Sequence, residues 1–138
     1  MKIGYRLFSL RHEFPNEWHT FLNPEPNKEQ VLELSLLTDR FPFRLQNKKF
    51  NINTVTLFVD SNLAAIPKLS LSSPNNPDNE YTFNKVKSKY GDLFIGHPKT
   101  EWSGEDPGVW TLTNPKANAK LDKDNCRDII AIVGYEVP

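Results

Sequence analysis

Four large apolar side chains, Phe14, Trp18, Phe21 and Leu22, fall at i, i+4, i+7 and i+8, the clearest helical spacing in the chain. The run Arg11 to Leu22 therefore reads as one short helix. Pro15 belongs near its first turn, where a missing N–H costs nothing, and Asn23-Pro24 stops it, because the residue before proline avoids the α region. Burying such side chains is worth roughly 1.5–3 kcal/mol each. The helix must lie on something, and the rest of the chain supplies strands.

Those strands are read from period-two alternation. Residues 2 to 10 set Ile3, Tyr5 and Leu7 on one face and Phe8 and Leu10 on the other. Leu32, Leu34 and Leu36 alternate with Val31, Glu33 and Ser35 over 29 to 38, where period two outweighs leucine's helical propensity. Arg40-Phe41-Pro42-Phe43-Arg44 is an aromatic corner, since Pro42 cannot hold a central ladder position. A polar turn at Asn47-Lys48-Lys49 leads into residues 50 to 60, with Val55, Leu57 and Val59 on one side and Ile52 and Phe58 on the other. Shorter strands are expected at 66 to 72, at 81 to 86 with Lys85 and Lys87-Ser88-Lys89 keeping its end wet, and at 93 to 95 after Gly91. Another is expected at 109 to 113, with Trp110 and Leu112 inward. The run 128 to 137 is apolar on both faces and should be central. Between these segments, Ser73 to Asn79, Glu101 to Gly108 and Asn114 to Asn125 read as loops.

Eight or nine short strands and one helix in 138 residues predict a single all-β domain spanning 1–138. An open sheet of that many strands would leave a face and two edges unprotected. The expectation is a two-sheet antiparallel β-sandwich, jelly-roll-like, with the N-terminal helix closing one end. Lys plus Arg equals Asp plus Glu at 17 each, so no global field draws in nucleic acid or an anionic membrane. No apolar stretch approaches the 18 residues needed to span a bilayer, and no signal-peptide core precedes the first strand. A start almost directly on a strand suits a cytoplasmic protein or a domain cut from a larger parent, and the second is the expectation. Cys126 is the single cysteine, which rules out an internal disulfide, and it reads as a buried structural thiol.

No nucleophile elbow, phosphate-cradling glycine loop, His-Glu-x-x-His or Cys-x-x-Cys occurs, so no catalytic residue, cofactor or metal is assigned. His12 and His19 stand seven apart, about two helical turns, which strains any shared ligation. Asp122-Lys123-Asp124-Asn125 copies only the opening of a calcium loop. The candidate binding segment is Glu101-Trp102-Ser103-Gly104-Glu105-Asp106, where an aromatic among acceptors suits stacking and hydrogen bonding to a sugar. Its carboxylates are too close in sequence to flank a glycosidic bond from opposite sides. Burial of Trp102 as a loop anchor is the stronger reading of the same residues.

Phe14-Pro15-Asn16-Glu17-Trp18 with Phe21-Leu22, Arg40-Phe41-Pro42-Phe43, Phe50-Asn51-Ile52 and Val55-Thr56-Leu57-Phe58 resemble the C-terminal region of the A component of insecticidal toxin complexes (Tc toxins). Gly108-Val109-Trp110-Thr111-Leu112 and Asp128-Ile129-Ile130 through Tyr135 extend the resemblance from about Phe8 to Val137. It implies a non-catalytic β-sandwich that docks the cocoon of the B and C components. It also implies a secreted or surface-associated location within a larger toxin-like protein. The family's helical shaft, pore and receptor-binding segments have no counterpart here, so this chain forms no channel. A carbohydrate-binding sandwich using Trp102, Glu101, Glu105 and Asp106 is the alternative.

Overall fold

A computed structural model describes residues 2–42, 49–86 and 92–137. Phe43, Arg44, Asn47-Lys48, Lys87-Ser88-Lys89 and Gly91, all invoked above, lie outside the described residues. In chain order the elements are β1 (Lys2–Ser9), α1 (Leu10–Glu13), α2 (Pro15–Leu22), β2 (Gln30–Leu36), a 3-10 turn (Thr38–Arg40), β3 (Asn51–Ser61), β4 (Leu69–Ser72), β5 (Asn79–Lys85), β6 (Leu93–Pro98), β7 (Gly108–Asn114) and β8 (Cys126–Val137).

The eight strands form one antiparallel sheet in the order β1-β8-β3-β6-β5-β4-β7-β2. The expected all-antiparallel β architecture is present, but the hydrogen-bonded ladder is continuous: β6 pairs with both β3 and β5, and β4 with both β5 and β7. The sheet solves its open-face problem by curling into a half-barrel around its own core. Register shifts in the β3–β8 ladder, between Ile52 and Thr54 and between Asp60 and Ser61, accentuate the local bend. The first shift also corrects the facing of β3. Ile52 is buried on the same inner side as Val55, Leu57 and Val59, because one extra residue reverses the alternation.

The expected single helix is two. Phe14 leaves the helix at φ −130°, ψ 59°, since Pro15 forbids its α conformation, and Pro15 then opens α2. Ser9 caps α1 by accepting from the His12 N–H and donates its hydroxyl to Asp128 at 2.6 Å. The sheet's two terminal strands, β1 and β2, are consecutive strands joined by these helices. The helices thus span the open side of the half-barrel, with Phe14, Trp18, Phe21 and Leu22 turned into the core. Phe8 meets Phe14 at 6.2 Å between ring centroids.

At one end of the core Phe41, Phe50 and Tyr135 pack together, Phe41 meeting Tyr135 edge-on at 5.5 Å. Tyr135 lies directly over Gly4, and Phe83 over Gly96; a Cβ at either glycine would collide with the ring. At the other end a buried polar bracket holds the long connections. The Gln30 amide donates to the carbonyls of Phe21 (2.9 Å) and Leu121 (2.6 Å), and its oxygen accepts from Asn114 (2.7 Å) and the Leu121 N–H (2.9 Å). One side chain therefore fastens the end of α2 and the β7–β8 connection to β2. Trp110, Leu112 and Cys126 are buried as expected, and Trp102 with them.

Candidate functional site

The connection from β6 to β7 carries the residues singled out from sequence. It crosses back over the start of β3, where Ile52 and Glu105 exchange backbone hydrogen bonds at 2.7 and 2.9 Å. Gly104 adds an N–H to the Asn53 side chain at 2.9 Å. Loop residues thus take the partner position that β6 leaves free on β3.

Trp102 is 7 % exposed. Its indole N–H donates to the Tyr81 hydroxyl at 2.9 Å, and that hydroxyl donates to the Val55 carbonyl at 2.6 Å. Its ring meets Trp110 edge-on at 5.0 Å. These contacts make Trp102 a loop anchor. Burial drives the Tyr81 pKa well above the tyrosine norm, partly offset by the hydrogen bond from Trp102.

The three carboxylates diverge. Glu105 is 6 % exposed and accepts from the Asn76 amide; Asp106 is exposed and accepts from Asn75; Glu101 is exposed. A hollow of about 360 Å³, lined by Asn76, Asp78, Thr100, Glu101, Ser103 and Glu105 among others, opens on one side of the Glu101-Trp102 segment. A second of about 310 Å³ lies on the other, against Asn53 to Thr56 and His97. Glu101, Trp102 and Glu105 thus meet at the first hollow, whereas Asp106 lies outside its lining. Among the described residues no group of three or more His, Cys, Asp or Glu side chains is placed to hold a metal ion. No helix there is long and apolar enough to cross a membrane.

A second surface was missed from sequence. On β1, Ile3 is 68 %, Tyr5 69 % and Leu7 54 % exposed. Leu7 stands beside Ile132 of β8, and Ile130 beside Phe58 of β3, which in turn neighbours Ile95 of β6. Ile130, Ile132, Phe58 and Ile95 are half-buried on the same outer side. An apolar strip therefore crosses four strands on the face turned away from the core. The signal was present in the two-faced apolar pattern of β3 and β8, but a central position in the sheet, or cover by the helix, was the expected cause. Comparison with protein-family models, curated proteins and solved structures returns no match to this chain.

Proposed function

We propose that this chain is a non-catalytic protein-docking module and that the outer face of β1, β8 and β3 receives the partner. The observation that carries the reading is the exposed row Ile3, Tyr5 and Leu7, continued by Ile132 and Ile130. Contiguous apolar surface of this kind on a folded domain marks an interaction site. The face is preformed by a ladder, so little ordering entropy opposes binding. Trp102 and Cys126 are buried, and no catalytic role is assigned to them or to the hollow beside Trp102.

The resemblance to the toxin-complex A component supplies the partner class: a B-like component, met as part of a larger secreted or surface-associated protein. We read the curled sheet as functionally a sandwich, its two halves facing one another across the core. Tyr81 supports this by tying β5 to β3 through the Val55 carbonyl. The test is titration of the chain against an immobilised toxin-complex B component. Leu7→Lys and Ile132→Lys should weaken association about tenfold or more, whereas Val109→Lys on β7 should not. Failure of the wild type to bind, or equal binding by all three variants, would overturn the reading.

A glycan reading has one observation in its favour, the hollow lined by amides, hydroxyls and carboxylates beside the edge of Trp102. Here Glu101→Ala is the informative variant, because Glu101 is exposed and its loss spares the core. Glycan-array binding abolished by that change would favour the sugar.

A further inference from the structure

We infer that the hollow where the start of β2 and the end of β7 meet the β7–β8 connection is an anion site, built for a tetrahedral oxyanion ester: a phosphate or a sulfate carried on a small molecule.

This hollow, of about 240 Å³, lies on strands that the docking face does not use. Three lysines line it, Lys28, Lys116 and Lys120, and no carboxylate does. Among the described residues the ion pairs use Arg6, Arg40, Lys68 and Arg127 and reach none of the three. Glu25 and Glu29 flank Lys28 in the chain without lining the hollow. Asp122 turns into its own loop, where it accepts from the N–H groups of Asp124 and Asn125 at 2.9 and 3.0 Å. Ammonium groups gathered without a counter-charge repel one another, and a bound anion relieves that repulsion. The carboxylates cluster elsewhere: the hollow beside Trp102 is lined by Asp78, Glu101 and Glu105, with no lysine or arginine. A chain of zero formal net charge thus presents a local positive field that draws an anion to this hollow.

The buried Gln30–Asn114 bracket sets all three lysines in place. Gln30 and Asn114 stand opposite one another in the β2–β7 ladder. Lys28 leads into Gln30 from the turn Glu25-Pro26-Asn27-Lys28, where proline and a left-handed Asn27 (φ 64°) suit the two central positions and the Lys28 N–H donates to the Glu25 carbonyl at 3.1 Å. Lys116 follows Asn114 into a turn closed by the Asn118 N–H on the Pro115 carbonyl at 3.0 Å. The Asn118 amide ties that turn to the Asn114 side chain (3.0 Å) and the Lys68 carbonyl (2.8 Å). Lys120 directly precedes Leu121, which exchanges hydrogen bonds with Gln30. The backbone beneath the three charges is therefore fixed before any ligand arrives, and binding orders only side-chain ends. Each ammonium is a compact charge with three rotatable donors, suited to the oxygens of a tetrahedral anion, whereas a planar carboxylate is better read by the arginine fork. The volume fits a small ester and not a polymer. The inference stands without the docking and glycan readings.

The test is an amide NMR titration of the isotope-labelled chain at constant ionic strength, with inorganic phosphate, inorganic sulfate, a hexose phosphate and a hexose sulfate as probes and acetate as control. The side-chain amides of Gln30, Asn114 and Asn118 and the N–H groups of Lys28, Lys116 and Lys120 should shift together and saturate with a Kd of about 1 mM. Lys28→Gln, Lys116→Gln and Lys120→Gln should each weaken binding about threefold to tenfold, while Lys99→Gln, exposed on the β6–β7 connection, should leave it unchanged. Each ester should bind at least as tightly as its inorganic ion, and the tighter of the two names the source. Acetate matching phosphate, esters excluded where the inorganic ions bind, shifts spread over lysines throughout the chain, or equal binding by all four variants would overturn the inference. Circular dichroism establishes that each variant is folded.

Discussion

The Tyr81 hydroxyl accepts the Trp102 indole N–H at 2.9 Å while donating to the Val55 carbonyl at 2.6 Å. Three segments distant in sequence, β3, β5 and the β6–β7 loop, therefore meet at one oxygen atom. The pair closes the end of the half-barrel where β6 no longer accompanies β3. Tyr81→Phe removes the hydroxyl and strands a donor and an acceptor inside the protein, each without water. Urea unfolding should register a loss of about 1–3 kcal/mol with the fold retained. An unchanged midpoint would mean that water reaches both groups.

The same tyrosine and Cys126 make stability depend on alkaline pH. Burial, with the Asp128 and Asp60 charges adding to it, pushes the Cys126 thiol up to about 12, and burial raises Tyr81 as well. In the unfolded chain both ionise first, the thiol near 9.0 and the phenol near 10.0. The folded state thus holds more protons in that range. Its stability is complete below about pH 9 and declines as pH rises toward the folded values. Urea midpoints should fall from about pH 9 upward, and Cys126→Ala should delay the onset to about pH 10. A flat profile across that interval would contradict the burial of both groups.

Trp18 is the anchor of α2. It is buried and stacks on Phe21 at 6.0 Å. Trp18→Ala should cost about 3–5 kcal/mol. A thermal midpoint lowered by only a degree or two would show the indole to be dispensable, and α2 to be a surface element.

Gln30 offers a sharper case because its replacement can conserve volume. Gln30→Leu keeps the side chain's bulk but orphans the Leu121 N–H and the carbonyls of Phe21 and Leu121, for an expected loss of about 2–3 kcal/mol. Amide exchange should accelerate first around Leu121 and the end of α2, the segments that Gln30 fastens. Uniform acceleration throughout the sheet would point to global destabilisation instead.

Gly96 faces the Phe83 ring at a distance that leaves no room for a Cβ. Gly96→Ala should therefore destabilise, and Gly96→Ala with Phe83→Leu should recover part of the loss, because the ring is the obstacle. Strict additivity in denaturant melts would place the cost in the β6 backbone.

By itself the sequence determined roughly where the strands lie and, for several of them, which row faces the core. Leu32, Leu34 and Leu36, Leu69 and Leu71, and Trp110 and Leu112 alternate because each strand has one face in the core, and period two records that local fact. It determined the break at Asn23-Pro24 and also carried the break at Phe14, since proline restricts its predecessor whatever surrounds it. The burial of Trp102 was readable from the general cost of leaving a tryptophan in water. Tertiary structure alone decided that eight strands join into one curled ladder, because pairing partners lie far apart in the chain and local pattern carries no register. It decided the facing of Ile52, where a one-residue shift against β8 reverses alternation. It also separated Asp106 from Glu101 and Glu105, and left Ile3, Tyr5 and Leu7 bare: an apolar row reads the same whether or not a layer covers it, and only the packed sheet shows that β1 stands at its edge.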